Sequence, residues 1–219
     1  MRRWSDIVFC AGLFFLLLGC RPIPEDTIIF LGGETYVQSV SEIIRHDEWE
    51  HDVLSHMQNV SQGYFPPDIE GEYKISEKQF VTSNFNDLSD HQDMYLKVMD
   101  QHNRIASVLF YEGERIYTDT AYVMGDGQRF SLYFTEDREM VVNETAHTLR
   151  RFVIFTGEKT PQGIRDLYFG SLILDAGNGD DPFVGSFIPG WYFIYKDKDG
   201  LSENCDWFSQ HEEGGEGDE

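Results

Sequence analysis

Nine short segments between residues 71 and 197 have the pattern of β-strands, and no helical pattern separates them. In RFSLYFT (residues 129–135), apolar residues occupy every second position, which is typical of a strand with one buried face. The segments are 71–76, 78–83, 93–100, 104–112, 115–124, 128–135, 147–157, 165–175 and 184–197. Parallel strands need long crossover connections, so the sequence predicts a mainly β chain that forms an antiparallel meander.

The number of predicted strands limits how the sheet can end. Eight or nine antiparallel strands leave two exposed edges if the sheet stays open. Closure into a barrel removes both edges, so the sequence predicts an antiparallel meander β-barrel over residues 63–208. A two-sheet β-sandwich is the alternative, and the strand spacing does not separate the two.

Residues 35–62 precede the strands and carry apolar residues at helical spacing. Ser39 followed by Glu42 has the spacing of a capping box, and Asp47 is placed to cap a second helix. The segment is therefore predicted to form two short helices with one buried face.

The N-terminus has the features of an export signal. Two arginines precede an apolar run of about 12 residues, which is too short to span the roughly 30 Å core of a bilayer. Leu17-Leu18-Gly19-Cys20 resembles a bacterial lipobox, which implies that residues 1–19 are removed as a signal peptide. Cys20 would then carry the lipid, including a palmitate-type chain, and residues 20–34 would form a tether. The implied location is the cell envelope, on the periplasmic or the surface-exposed face of the outer membrane.

The chain is strongly acidic, with a formal net charge of −22. Removal of residues 1–19 makes the charge −23. Such a charge repels nucleic acid and anionic lipid, so membrane contact is expected only through the N-terminal lipid. Residues 209–219 are acidic and glycine-rich, which predicts a disordered tail. Only Cys205 remains after loss of Cys10 and acylation of Cys20, so no intrachain disulfide is expected.

Four stretches resemble landmarks of uncharacterised Bacteroides lipoproteins. They are FPPDIEGEYKIS (65–76), the Gly125-Asp126-Gly127 turn before FSLYF, GIRDLYFGSLILDAGNGDDP (163–182) and YKDKDGLSE (195–203). The resemblance implies a signal, a short helical segment and a lipocalin-like (calycin-like) β-barrel. It carries over no catalytic residue, and such a fold does not determine function.

Two acidic loops contain oxygen ligands that suit Ca²⁺. The first offers Asp175, Asn178, Asp180 and Asp181, and the second offers Asp197, Asp199 and Glu203. Asn-Gly and Asp-Gly also favour hairpin turns, so the preferred alternative is that these acids are solvated turn residues. If the strands that flank the first loop pair with each other, the two loops lie at opposite ends of the last strand. No other cofactor is predicted, because His46, His51 and His56 are five residues apart, the wrong spacing for zinc ligands on one helical face.

Aromatic side chains are the other candidate binding residues. The candidates are Phe130, Phe134, Phe152, Tyr168, Trp191 and Phe193. Facing inward, they would line a pocket for a small hydrophobic or glycan ligand, and facing outward they would dock a partner. An ordinary filled core is the favoured alternative, because about eight strands leave little room inside.

The sequence contains no G-x-S-x-G, P-loop or G-x-G-x-x-G motif. We therefore expect a lipid-anchored, non-enzymatic envelope protein that binds a ligand or an envelope partner. One alternative is an accessory subunit of a surface complex that docks through an aromatic patch. Another is a hydrolase with paired carboxylates, which the sequence does not identify.

Overall fold

The computed structural model describes residues 38–85, 93–112, 115–142, 145–177 and 188–212. The predicted signal peptide, Cys20 and the tether lie outside these residues, as do Asn178, Asp180, Asp181 and the tail from residue 213 onward. The part from Gln38 onward forms one unit, so the helical segment and the sheet belong together. Within the described ranges, the helices are too short and too polar to cross a bilayer.

Eleven strands are found in the described residues. They are β1 (Tyr64–Phe65), β2 (Gly71–Ile75), β3 (Gln79–Ser83), β4 (Met94–His102), β5 (Ile105–Glu112), β6 (Arg115–Asp126), β7 (Arg129–Val142), β8 (Thr145–Thr160), β9 (Gly163–Asp175), β10 (Tyr192–Lys196) and β11 (Leu201–Asn204). All belong to a single sheet. The pairings are antiparallel except for a short parallel contact of β1 with β6.

Eight of these strands form a closed ring. β2, β4, β5, β6, β7, β8, β9 and β11 pair in that order, and β11 pairs back with β2. Glu203 of β11 lies opposite Lys74 on one side and Gly163 on the other. β9 pairs with β11 through its first half and with β10 through its second, and β3 then pairs with β10. Closure satisfies backbone groups that an open edge would expose.

The predicted antiparallel meander is confirmed for β4 to β10. It is wrong for β3, which does not lie between β2 and β4: β2 pairs directly with β4, and β3 pairs with β10. The bounds of two predicted strands also differ. β7 continues to Val142, beyond the predicted end at residue 135, because its charged second half still pairs with β8. Of the last predicted strand, 184–197, residues 184–187 lie outside the described residues; residues 188–191 are not in a strand, and β10 begins at Tyr192. β11 was not predicted, because LSEN is short and has no clear apolar alternation.

Apolar side chains fill the interior of the ring. Phe110, Phe155 and Phe169 are at most 1% exposed, and the Phe110 ring lies 5.2 and 5.3 Å from the other two rings. Each fully buried phenylalanine contributes about 1.5–3 kcal/mol of transfer free energy. Ile69 is also fully buried in this core, and its carbonyl accepts a hydrogen bond of 2.7 Å from the Tyr73 hydroxyl. The segment around Ile69 therefore closes one end of the ring.

Two helices, α1 (Val40–Ile44) and α2 (Asp47–Leu54), precede the sheet. The predicted capping box of Ser39 and Glu42 is confirmed at the start of α1. The prediction that Asp47 caps α2 is wrong, because the N-cap residue is His46, which makes no capping hydrogen bond with its side chain. Val53 is fully buried, and the Tyr133 hydroxyl donates to the Gln38 carbonyl at 2.8 Å. The helices therefore cover the outer face of β7 to β10.

A third helix, α3 (Trp207–Glu212), was not predicted. Trp207 stacks on Tyr95 at 4.5 Å and on His211 at 4.1 Å, and Phe208 is 1% exposed. These contacts hold the helix on the outer face of the ring. The prediction of a disordered tail is therefore wrong for residues 209–212.

Candidate functional site

A groove of about 310 Å³ lies between the two N-terminal helices and the outer face of the sheet. We call it the helix–sheet groove. Its helical wall includes Glu42, Arg45, His46 and Trp49, and its sheet wall includes Thr135, Arg150, Leu174 and Asp175. Small-molecule sites in proteins commonly have volumes of about 300–1,000 Å³, so the groove has the size of a site for a small ligand.

The helical wall is held rigidly by local hydrogen bonds. The backbone N–H and the hydroxyl of Ser39 donate to Oε2 of Glu42 at 2.8 and 3.0 Å. Arg45 ends α1 in the left-handed conformation (φ 58°), and its Nε donates to the Glu42 carbonyl at 3.1 Å. The His46 ring is stacked on Trp49 with centroids 4.0 Å apart and planes at 19°. Gly190 is close behind Trp49, where a Cβ atom would lie 2.8 Å from the indole.

A β-bulge shapes the sheet wall. β8 advances one residue from Arg150 to Arg151, whereas β9 moves two residues, from Asp175 to Ile173. Leu174 is therefore the additional residue, and it lies in the groove beside Arg150. Bulges redirect side chains and occur often beside binding sites.

The charged groups of the groove are only partly neutralised by each other. Within the described residues, the Arg45 guanidinium makes no ion pair. In the part of the chain that the structure describes, Arg150 has one carboxylate partner, Asp137, at 3.7 Å, and both side chains are more than half exposed, so this ion pair is weak. Oδ1 of Asp175 accepts a hydrogen bond of 2.9 Å from the Gly177 N–H. Among the described residues, two arginines and two carboxylates thus line the groove, and their formal charges sum to zero.

A second polar feature lies inside the ring. Arg151 donates from Nε to Oε2 of Glu136 at 2.5 Å and from Nη1 to Oε2 of Glu112 at 2.9 Å. Its guanidinium also lies 5.1 Å from the centroid of the Tyr117 ring. We call Glu112, Glu136 and Arg151 the inner charge cluster. Strand alternation explains the location, because Glu136 is two residues from Phe134 and Arg151 two from Val153, both core residues.

The inner charge cluster is almost completely removed from water. The side chains of Arg151 and Glu136 are 6% exposed, and that of Glu112 is 18% exposed. Burial raises the pKa of Glu136 above its usual value, and Arg151 opposes that shift. Burial acts to lower the pKa of the Arg151 guanidinium, but the two carboxylates together raise it above its usual value. Oε1 of Glu136 and Nη2 of Arg151 are buried without a hydrogen-bond partner among the described residues. The cluster is therefore held together by charge, with part of its hydrogen-bonding capacity unused.

Of the residues predicted as calcium ligands, Asp175, Asp197, Asp199 and Glu203 lie in the described part of the chain, and these four do not form one group. The pairing of β9 with β10 places Asp175 and Asp197 at opposite ends of β10, as the meander predicted. Asp199 accepts from the Leu201 N–H at 3.0 Å, so it serves a turn, as Asp175 does. Glu203 lies on β11. In the part of the chain that the structure describes, no three His, Cys, Asp or Glu side chains are grouped for a metal ion.

Asp197 is unusual among these acids because it is only 3% exposed. The Ser202 hydroxyl donates to its Oδ2 at 2.6 Å. Burial raises the pKa of Asp197 to about 6, and the nearby carboxylate of Asp199 acts in the same direction. This carboxyl is thus a pH-sensitive part of the junction between β10 and β11.

The aromatic residues predicted as a pocket or docking patch are distributed over several places. Phe130 and Phe134 are buried in the core inside the ring. Phe152 is fully buried on the outer face, and Tyr168 is also on that face and 6% exposed. Trp191 and Phe193 are half-buried: Trp191 stacks on Phe85 at 4.7 Å, and Phe193 meets Phe169 edge-on at 5.7 Å. These six residues form no common site.

Two other side chains with reactive groups, His56 and Cys205, lie outside the groove. Nδ1 of His56 donates to the Asp52 carbonyl at 2.7 Å, rather than pairing with its carboxylate. Cys205 is half-buried, and burial raises the pKa of its thiol.

The sequence analysis named Glu42, His46 and Asp175 in other roles, but it did not predict the helix–sheet groove that they help to line. Trp49 and Arg150 are about a hundred positions apart, and no motif links them. The adjacent arginines at 150 and 151 did indicate one feature. Neighbouring strand residues point to opposite faces of the sheet, so one of the two arginines had to lie inside the ring and the other outside it.

Comparisons with protein-family models, curated proteins and solved structures found no match for this chain. The resemblance to Bacteroides lipoproteins therefore stays a prediction that depends on the quoted stretches of sequence.

Proposed function

We propose that the chain is a lipid-anchored, non-enzymatic protein of the cell envelope that binds a small ligand in the helix–sheet groove. In this proposal the ring is a lipocalin-like β-barrel, and Cys20 carries the lipid. The formal charge of −23 after removal of residues 1–19 works against other contact with anionic lipid.

The observation that carries the binding function is the groove itself. It has the volume of a small-ligand site, and its walls combine a stacked His46–Trp49 pair with charged side chains. Its walls are supported by a capped helix and by paired strands, which preorganise a site better than loops do. The interior offers a less suitable place, because apolar side chains fill it.

Binding is tested by ligand-observed NMR on the full-length protein, purified from membranes in detergent. A mixture of neutral, anionic and cationic small molecules is offered to the wild type and to two variants. Arg150→Met alters the groove, whereas Arg165→Met removes an equally exposed arginine outside it (53% and 54% exposed). We expect at least one class to show saturation transfer that Arg150→Met weakens and Arg165→Met preserves. No transfer to any class would contradict the binding function.

The anchor is tested by cell fractionation. Cys20→Ala is expected to move the protein from the membrane to the soluble fraction, or to leave it uncleaved. Cys205→Ala is the matched control, and it is expected to stay in the membrane fraction. A shortened, membrane-bound Cys20→Ala protein that still incorporates labelled lipid would contradict acylation at Cys20.

A further inference from the structure

We infer that the ligand of the helix–sheet groove is one neutral sugar ring, an inference that rests on the proposed binding function. Size is the first reason. At about 310 Å³ the groove is at the small end of the usual range for ligand sites, which suits a single compact ring.

The hydrogen-bonding groups are the second reason. Arg45 and Arg150 present donors that are little engaged within the described residues. Asp175 presents acceptor oxygens, and the Thr135 hydroxyl both donates and accepts. Neighbouring hydroxyl groups of a sugar also both donate and accept, so they match a wall that mixes these types. A ligand with acceptors alone would leave the carboxylate unmatched.

The balance of charge is the third reason. Arg45 and Glu42 belong to the helical wall, and Arg150 and Asp175 belong to the sheet wall, so the formal charges of these described residues sum to zero on each wall. An anion is attracted by the arginines but repelled by the carboxylates, and a cation is attracted by the carboxylates but repelled by the arginines. A neutral ligand avoids both costs and still uses the charge-assisted hydrogen bonds.

The aromatic and apolar surfaces are the fourth reason. His46 is exposed and lies flat on Trp49, which fixes the orientation of its ring. Leu174 and the buried Ile44 add apolar surface to the same groove. A sugar ring has one face of C–H groups that packs against such surfaces while its hydroxyl groups reach the polar walls.

Three probes with one ring scaffold separate the charge classes. D-glucose is neutral, D-glucuronate carries a carboxylate and D-glucosamine carries an ammonium group. Each is titrated into the full-length protein in detergent and followed by saturation-transfer difference NMR. We expect D-glucose to bind at least about threefold more tightly than either charged analogue, which corresponds to about 0.6 kcal/mol.

Variants assign the binding to the groove. Loss of one or two hydrogen bonds in Arg150→Met is expected to weaken D-glucose binding about fivefold to tenfold. His46→Ala removes the flat surface and is expected to weaken binding as well, whereas Arg165→Met is expected to leave the affinity unchanged. Equal effects of Arg150→Met and Arg165→Met would overturn the assignment to the groove.

The outcomes separate this inference from the binding function. If D-glucuronate or D-glucosamine binds more tightly than D-glucose, the inference of a neutral ligand is overturned, but the proposed binding function stands. If none of the three probes binds, the sugar inference is also overturned. The NMR screen with neutral, anionic and cationic small molecules then decides whether the binding function survives. Preference for D-glucose together with the variant pattern supports both.

Discussion

Replacing Arg151 with methionine leaves the Glu136 carboxylate inside the ring without the guanidinium that it binds. Methionine has a similar length and is apolar, so it occupies much of the same volume beside Tyr117. The substitution therefore tests the ion pairing of the inner charge cluster rather than its packing. Glu112 also loses its partner, but its 18% exposure gives it some access to water.

The cost follows from the burial of Glu136. Its side chain is 6% exposed, and removal of one partner of a buried ion pair usually costs about 3–5 kcal/mol. The protein can limit that cost by protonating the carboxyl group. For an unfolded-state pKa of about 4.3, protonation costs about 3.7 kcal/mol at pH 7 and about 1 kcal/mol at pH 5. We therefore expect Arg151→Met to lower the free energy of unfolding by about 3–4 kcal/mol at pH 7.

The same reasoning fixes the sign of the pH dependence. Without Arg151, the pKa of Glu136 in the folded state rises further above its unfolded value, so the folded state binds the proton more tightly. The deficit of the variant relative to wild type should then shrink by about 2 kcal/mol or more between pH 7 and pH 5. In Glu136→Gln/Arg151→Met, which has no carboxyl at residue 136, most of this pH dependence should disappear.

Chemical denaturation at pH 5, 6 and 7 measures these differences. The control is Arg165→Met, which breaks the exposed pair with Glu158 at 2.7 Å and should cost at most about 1 kcal/mol. If Arg151→Met costs no more than this control, or if its deficit is the same at pH 5 and pH 7, the reasoning about the buried cluster is refuted.

Three further predictions concern the junctions of the fold. Asp197 has a folded-state pKa of about 6 against an ordinary value of 3.8, so its contribution to stability is full below about pH 4 and lost above pH 6. In the wild type, the unfolding free energy should therefore fall by about 1–3 kcal/mol between pH 4 and pH 6, and Asp197→Asn should remove this fall. If the variant keeps the pH profile of the wild type, Asp197 is not the group responsible. Ser39→Ala removes the cap of α1 and should lower the unfolding free energy by about 1 kcal/mol, where a neutral result contradicts the capping role. Gly163→Ala places a Cβ atom against the Ser202 carbonyl where β9 meets β11, and should lower the thermal midpoint more than Gly127→Ala, whose Cβ meets open space. Equal shifts for the two glycines would argue against tight ring closure.

The sequence was sufficient for the order of most strands because their apolar residues alternate. It also predicted the capping box, since Ser39 and Glu42 are three positions apart and interact locally. Asp47 shows the limit of the same logic: its residue type suits a cap, but it is the first residue of α2, and the N-cap position is one residue earlier, at His46. Local chemistry thus located α1 and α2 without fixing their ends.

Tertiary partners explain most of what the sequence did not predict. The second half of β7 is charged, and it becomes a strand because Glu136 faces Arg151 across the ladder with β8. β11 closes the ring although LSEN has a weak pattern, because its backbone finds partners on both sides. The helix–sheet groove combines residues from α1, α2 and three strands, and single-sequence periodicity carries no information on which distant residues meet. The sequence shows which residue types are present, but it does not show which of them lie close together in the fold.

Hydrogen–deuterium exchange of the full-length protein, with and without saturating D-glucose, tests the binding groove most directly. Bound sugar is expected to slow exchange in peptides from residues 40–54, 145–160 and 170–177, which cover both walls of the helix–sheet groove. Peptides from β4 and β5, on the other side of the ring, should exchange at unchanged rates. Unchanged exchange at both walls, or protection confined to other strands, would contradict binding of D-glucose in the groove.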